Sequence, residues 1–89
     1  MSWAFRFQAT ILRKQEDLPR YVIVEPELVA GRDGSFDAKV TLNGHAAFDR
    51  RIHPWGKGSD AYFFNLTQVQ CQKAGVETGD VVEVQLAVV

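Results

Sequence analysis

The sequence predicts an all-β fold, a small six-stranded β-barrel capped by one short α-helix near residues 67–74. Three observations carry that prediction. Apolar and polar residues alternate over most of the chain, the mark of strands with one buried face. Breaks at 31–34 (GRDG), 43–44 (NG) and 54–60 (PWGKGSD) divide the alternating stretches at short intervals. Only the segment from Thr67 to Gly75 carries helix punctuation at both ends.

The first strand reads Trp3, Phe5, Phe7, Ala9 and Ile11 on one face and Arg6, Gln8 and Thr10 on the other. A polar connection follows at 14–19. Residues 21–24 (YVIV) form a short β-branched strand that Pro26 ends, and 27–30 fit a single helical turn. Phe36, Ala38, Val40 and Leu42 alternate with Asp37, Lys39 and Thr41, and the pattern resumes at Ala46, Phe48 and Ile52. Residues 54–60 read as a glycine-rich loop, and 62–66 as a fifth strand. Thr67 is a natural N-cap, and Gln70 stands at the spacing of a capping box. Lys73 suits the carbonyl end of the helix, and Gly75 can take the left-handed conformation that stops it. After a turn at Thr78-Gly79-Asp80, Val82, Val84, Leu86 and Val88 share one face of the last strand. The predicted core is built on Trp3, Phe5, Phe7, Phe36, Phe48, Phe64 and Leu66.

The Asn43-Gly44 hairpin tests register. A two-residue turn would set Val40 opposite Ala47 and split the apolar stripe across both faces. An odd loop keeps the stripe together, with Val40 facing Phe48 and Phe36 facing Ile52. On the outer face Lys39 then meets Asp49, and Asp37 meets Arg51. A bulged hairpin is therefore expected despite the NG dipeptide.

Composition narrows the function classes. Eighty-nine residues, read as one β-barrel domain over 1–89, approach the lower limit for a core that stands unaided. Ten basic and eleven acidic residues give a net charge of −1, so no global field draws the chain to nucleic acid or an anionic membrane. Cys71 stands alone, which excludes an internal disulfide and fits a reducing, cytoplasmic setting. The N-terminal alternation is unlike a signal peptide, and no apolar run approaches the ~20 residues of a membrane helix.

The densest polar cluster runs from Asp49 to Lys57. Arg50, Arg51, His53, Trp55 and Lys57 are the candidate ligand-binding residues: cations for an anionic group, an indole for stacking on a ring, and Gly56 and Gly58 for close backbone approach. The competing assignment is structural, with Arg51 paired to Asp37, Lys57 to Asp60, and Trp55 covering a barrel end. His45 and His53 show no metal-ligand spacing, and Cys71 on the short helix reads as an inert buried thiol. No catalytic set, metal site or cofactor is expected, and the chain is read as not an enzyme.

The run of FRFQATI, RYVIVEP, VTLNGHAAF, IHPWGKG and AGVETGDVVEV resembles a small prokaryotic family of unknown function. That family occurs alone or as an N-terminal domain, often fused to a bacteriocin-protection domain of the YdeI/OmpD-associated kind. The resemblance covers nearly the whole chain and implies a double-split β-barrel, the class that also holds AbrB- and MazE-like DNA-binding folds. The resulting expectation is a small binding or accessory module for an unidentified protein or small-molecule ligand, working as a monomer or weak homodimer. The alternative is weak AbrB-like nucleic-acid binding through the basic loop.

Overall fold

In the computed structural model, which describes residues 4–29, 34–56 and 58–88, the alternating stretches become six strands. They are β1 (Ala4–Thr10), β2 (Arg20–Val24), β3 (Phe36–Leu42), β4 (Phe48–Gly56), β5 (Ser59–Leu66) and β6 (Val81–Val88). Helix α1 (Gln68–Ala74) lies between β5 and β6, and a 3-10 turn spans Pro26–Val29. All neighbours are antiparallel, in the order β1-β6-β3-β4-β5-β2.

The two end strands of that order curl toward each other. Just past β1, Leu12 and Tyr21 exchange backbone hydrogen bonds at 3.0 and 2.8 Å. Beside that bridge the Ile11 amide donates to Asp80 O at 2.9 Å, and the Gly79 amide donates to Ile11 O at 2.8 Å. The result is a nearly closed six-stranded antiparallel barrel, the predicted fold class, which leaves little unpaired edge to recruit another chain.

Inside it lie Val22, Val24, Val40, Leu42, Ile52, Phe64, Val84 and Leu86, all with no solvent exposure. Of the predicted core, Phe36, Phe64 and Leu66 are buried, while Phe5, Phe7 and Phe48 are half-buried against the same cluster. Trp3 lies outside the described residues. Among the described residues no polar or charged side chain is buried. Apart from the Cys71 thiol and Tyr62, the described groups able to do chemistry therefore sit on the outside of the barrel or at its mouths.

Helix α1 follows its punctuation. The Gln70 amide donates to Thr67 Oγ1 at 3.1 Å, and the Thr67 amide donates to Gln70 Oε1 at 3.0 Å, completing the capping box. Gly75, at φ 67°, ends the helix, with its amide bonded to Gln72 O at 3.1 Å and the Val76 amide to Cys71 O at 3.0 Å. So short a helix would melt in isolation; burial of Cys71 and Ala74 against the barrel holds it. Burial also raises the Cys71 thiol above its ordinary 9.0, keeping it a neutral core group.

The β3–β4 register matches the prediction: Phe36 faces Ile52, Val40 faces Phe48, and Lys39 faces Asp49. The turn is a compromise between the two expectations. Asn43 (φ 51°) and Gly44 (φ 77°) form a tight turn closed by the His45 amide on Leu42 O at 3.0 Å. The extra residue is absorbed afterwards, over 45–47, which leave the ladder before β4 begins. β6 pins the turn: the Asn43 amide donates to Glu83 O, and the Glu83 amide to Asn43 Oδ1, both at 2.8 Å.

The expected loop at 54–60 is corrected. β4 runs through Pro54 and Trp55 to Gly56, and β5 starts at Ser59, so most of this segment is hairpin ladder. Proline is tolerated because β3 pairs with β4 only as far as Ile52, leaving Pro54 a neighbour on the β5 side alone. A register shift between Pro54 and Gly56 takes up the irregularity.

Arg20, at the start of β2, reaches Glu77 in the loop before β6, with Nε 2.9 Å and Nη2 2.8 Å from Oε1. The Thr78 amide donates to the same oxygen at 3.2 Å. The Thr78 amide first, and Arg20 second, hold the Glu77 carboxyl below its ordinary 4.5. Since the folded value is the lower one, this stabilisation is complete above the unfolded value and disappears as pH falls through the folded value. The Tm difference between wild type and Glu77→Gln should therefore be present at neutral pH and close in acid below 4.5. Thermal melts across that range check it; a constant difference would show that the charge contributes nothing.

Candidate functional site

The outer face of β2, β5 and β4 is unusually aromatic. Period two sends Val22 and Val24, Phe64 and Leu66, and Ile52 inward, so Tyr21, Phe63, His53 and Trp55 stand on the opposite face. Trp55 lies half-buried over this face. Its ring centroid is 5.3 Å from Phe63 in an edge-on arrangement and 5.7 Å from Tyr21 at a 43° tilt. His53 packs on Phe63 at 5.6 Å, and its Nδ1 lies 3.3 Å from Ser35 Oγ.

The 13–19 loop forms one wall. Arg13 Nε donates to Leu18 O at 2.9 Å, Arg13 Nη2 donates to Glu16 O, and the Leu18 amide donates to Gln15 O at 3.1 Å. This holds Leu18 and Pro19 beside the rings and carries the Lys14 ammonium to 5.1 Å from the Trp55 ring centre. The open groove between them has a volume of about 230 Å³ and is lined by Lys14, Leu18, Pro19, Tyr21, Trp55, Phe63 and Asn65.

The predicted site residues do not all meet here. Trp55 is the centre of the groove, and His53 borders it through Phe63. Arg51 shares their face but is bonded to Asp37 at 3.0 Å. Arg50 points to the other face, beside Phe48 and Ile52, and donates to Asn65 O at 3.1 Å and Asp49 O at 3.0 Å. Adjacent strand residues face opposite ways, so a cluster contiguous in sequence is divided in space. Lys57 lies outside the described residues. The groove partners that sequence reasoning missed are Lys14, Leu18, Pro19, Tyr21, Phe63 and Asn65. A signal was present for two of them: RYVIV and YFFNL carry apolar residues on both phases, so each strand has a second apolar face.

A second groove of about 420 Å³ lies between α1 and the β3–β4 connection, lined by Phe48, Val69 and Lys73 among others. His45 stands on its rim. Among the described residues no three of His, Cys, Asp or Glu gather closely enough to hold a metal ion.

Residues 7–86, from within β1 almost to the end of β6, match a family described as a domain of unknown function, DUF1905. The chain belongs to that family. The match takes in both walls of the Trp55 groove, so the site lies within the DUF1905 domain and outside any appended segment. No curated protein matches this DUF1905 chain. No helix among its described residues is long and apolar enough to cross a membrane.

Proposed function

We propose that this chain is a binding module that holds its ligand in the outer aromatic groove centred on Trp55, working in a reducing, cytoplasmic setting beside a partner domain or protein. The observation that carries the reading is a half-buried tryptophan on the solvent side of a barrel, where folding alone favours polar residues. It is packed from below by Phe63 and from one side by Tyr21, and a braced loop supplies the opposite wall. A rigid scaffold with a preset aromatic floor is what low-cost recognition requires. The reading assigns the chain no reaction.

Charge placement supports this reading over nucleic-acid binding. Arg20, Lys39 and Arg51 are each within 3.0 Å of a carboxylate oxygen, and Arg6 is within 3.9 Å of Glu83. Among the described residues this leaves Arg13, Lys14, Arg50 and Lys73 outside ion pairs, a small set for counterion release from a duplex. Titration of the ¹⁵N-labelled protein with nucleotides, oligosaccharides and short peptides is expected to move the Trp55 indole N–H with at least one class, together with Tyr21 and Asn65. Random duplex DNA at low salt should leave the spectrum unchanged. Shifts confined to the α1 groove, or DNA binding lost in Arg50→Ala and Arg51→Ala, would overturn the proposal.

A further inference from the structure

We propose, building on the binding-module reading, that the Trp55 groove takes a proline-rich segment in the polyproline II conformation, with an acidic residue at its Lys14 end. The floor is ridged. Phe63 meets Trp55 edge-on at 80°, and Tyr21 is tilted by 43° from it, so the rings leave furrows between them. A polyproline II helix, with about three residues per turn and ~3.1 Å rise, presents alternating ridges of rigid pyrrolidine rings that fit such furrows. Its order is already set before binding, so little conformational entropy is lost.

The polar groups match as well. The Trp55 indole N–H, the Tyr21 hydroxyl and the Asn65 side-chain amide make no hydrogen bond within the described protein, yet all three border the groove. Each can donate. A polyproline II backbone has no internal hydrogen bonds, and its carbonyls project outward as unsatisfied acceptors. Donors without acceptors on one side meet acceptors without donors on the other.

Flat ring ligands fit less well. The Lys14 ammonium already stands over the Trp55 ring at 5.1 Å and obstructs face-to-face stacking of a base or sugar. A nucleotide phosphate would need more than Lys14, the one cation lining the groove among the described residues, since the Arg13 guanidinium is committed to the Leu18 and Glu16 carbonyls. Among the described residues no carboxylate lines the groove to receive sugar hydroxyls. Lys14 makes no ion pair among the described residues, and this leaves it to meet an acidic residue flanking the prolines.

The test is an NMR titration of the whole chain with a peptide of about nine prolines, roughly three turns, with and without a terminal glutamate. A Gly/Ser peptide of equal length, adenosine monophosphate and maltotriose serve as comparators. The proline peptides alone should shift the Trp55 indole N–H and the Tyr21 and Asn65 signals. Trp55→Ala and Tyr21→Ala should each weaken binding about tenfold or more, while the Val84 and Leu86 amide signals stay in place to show an intact barrel. Lys14→Ala should weaken only the glutamate-bearing peptide, by about two- to fivefold. Equal shifts from the Gly/Ser peptide would overturn the inference. Shifts from the nucleotide or the sugar, with none from proline, would overturn it while leaving the binding module standing. Silence at Trp55 with every ligand would overturn both.

Discussion

Phe64→Ala is expected to cost about 3–5 kcal/mol of stability, the range for deleting a fully buried aromatic side chain. Among the described residues Phe64 is the largest side chain with no solvent exposure, and it sits on β5 between two strands. Val22 faces it from β2, and Ile52 lines the same interior from β4. Both are stiff at the β-carbon and belong to ladders, so neither can swing in to fill the void. A domain of this size has a net stability of roughly 5–15 kcal/mol, so the loss takes about a fifth of it or more. At about 4–8 °C per kcal/mol the melting midpoint should fall by roughly 12–40 °C. Urea titration followed by far-UV circular dichroism checks the value, and an unchanged slope with a lower midpoint marks true destabilisation. A loss below about 1 kcal/mol would mean that the interior repacks freely, and the ordered aromatic floor outside it would lose its support. Phe63, that floor's central ring, is the next residue on the same strand.

Much of this barrel was legible because its signals are local. The Thr67 cap, the Gln70 return bond and the Gly75 stop need only neighbouring residues, and each is in place. The β3–β4 register was legible for a related reason: two salt bridges and one apolar stripe agree on a single alignment, and Lys39–Asp49 at 2.6 Å and Arg51–Asp37 at 3.0 Å confirm it. Pro54 was misread because its tolerance depends on where β3 stops pairing, a property of the partner strand. The groove was hidden for a deeper reason. Trp55 comes from β4, Phe63 from β5, Tyr21 from β2, and Lys14 from a loop more than a strand away. Only the strand order β4-β5-β2 brings them together, and alternation within one strand cannot reveal it. Arg50 and Arg51 show the converse error, since adjacency in sequence places them on opposite faces.

Gln85→Pro is expected to abolish cooperative folding, whereas Pro54→Ala should change stability by no more than about 1 kcal/mol. The two positions test the same rule from opposite sides. Gln85 lies in β6, where it faces Arg6 of β1 and Thr41 of β3, so both edges of the strand are occupied at that residue. Whichever neighbour its amide serves, proline removes the donor, and the orphaned carbonyl alone costs about 1–3 kcal/mol. The ring also forces one of the two flanking strands away, which no interior position of a sheet accommodates. At Pro54 only β5 is adjacent, so the missing N–H leaves no carbonyl stranded on the other side. Alanine there mainly frees the unfolded chain, a loss of a few tenths to about 1 kcal/mol. Thermal melts of both variants decide the matter. A Gln85→Pro protein melting within a few degrees of wild type would place β6 at a sheet edge, and the β1-β6-β3 order would fall. The curvature that closes the barrel at Leu12 and Tyr21, beside the Trp55 groove, rests on that order.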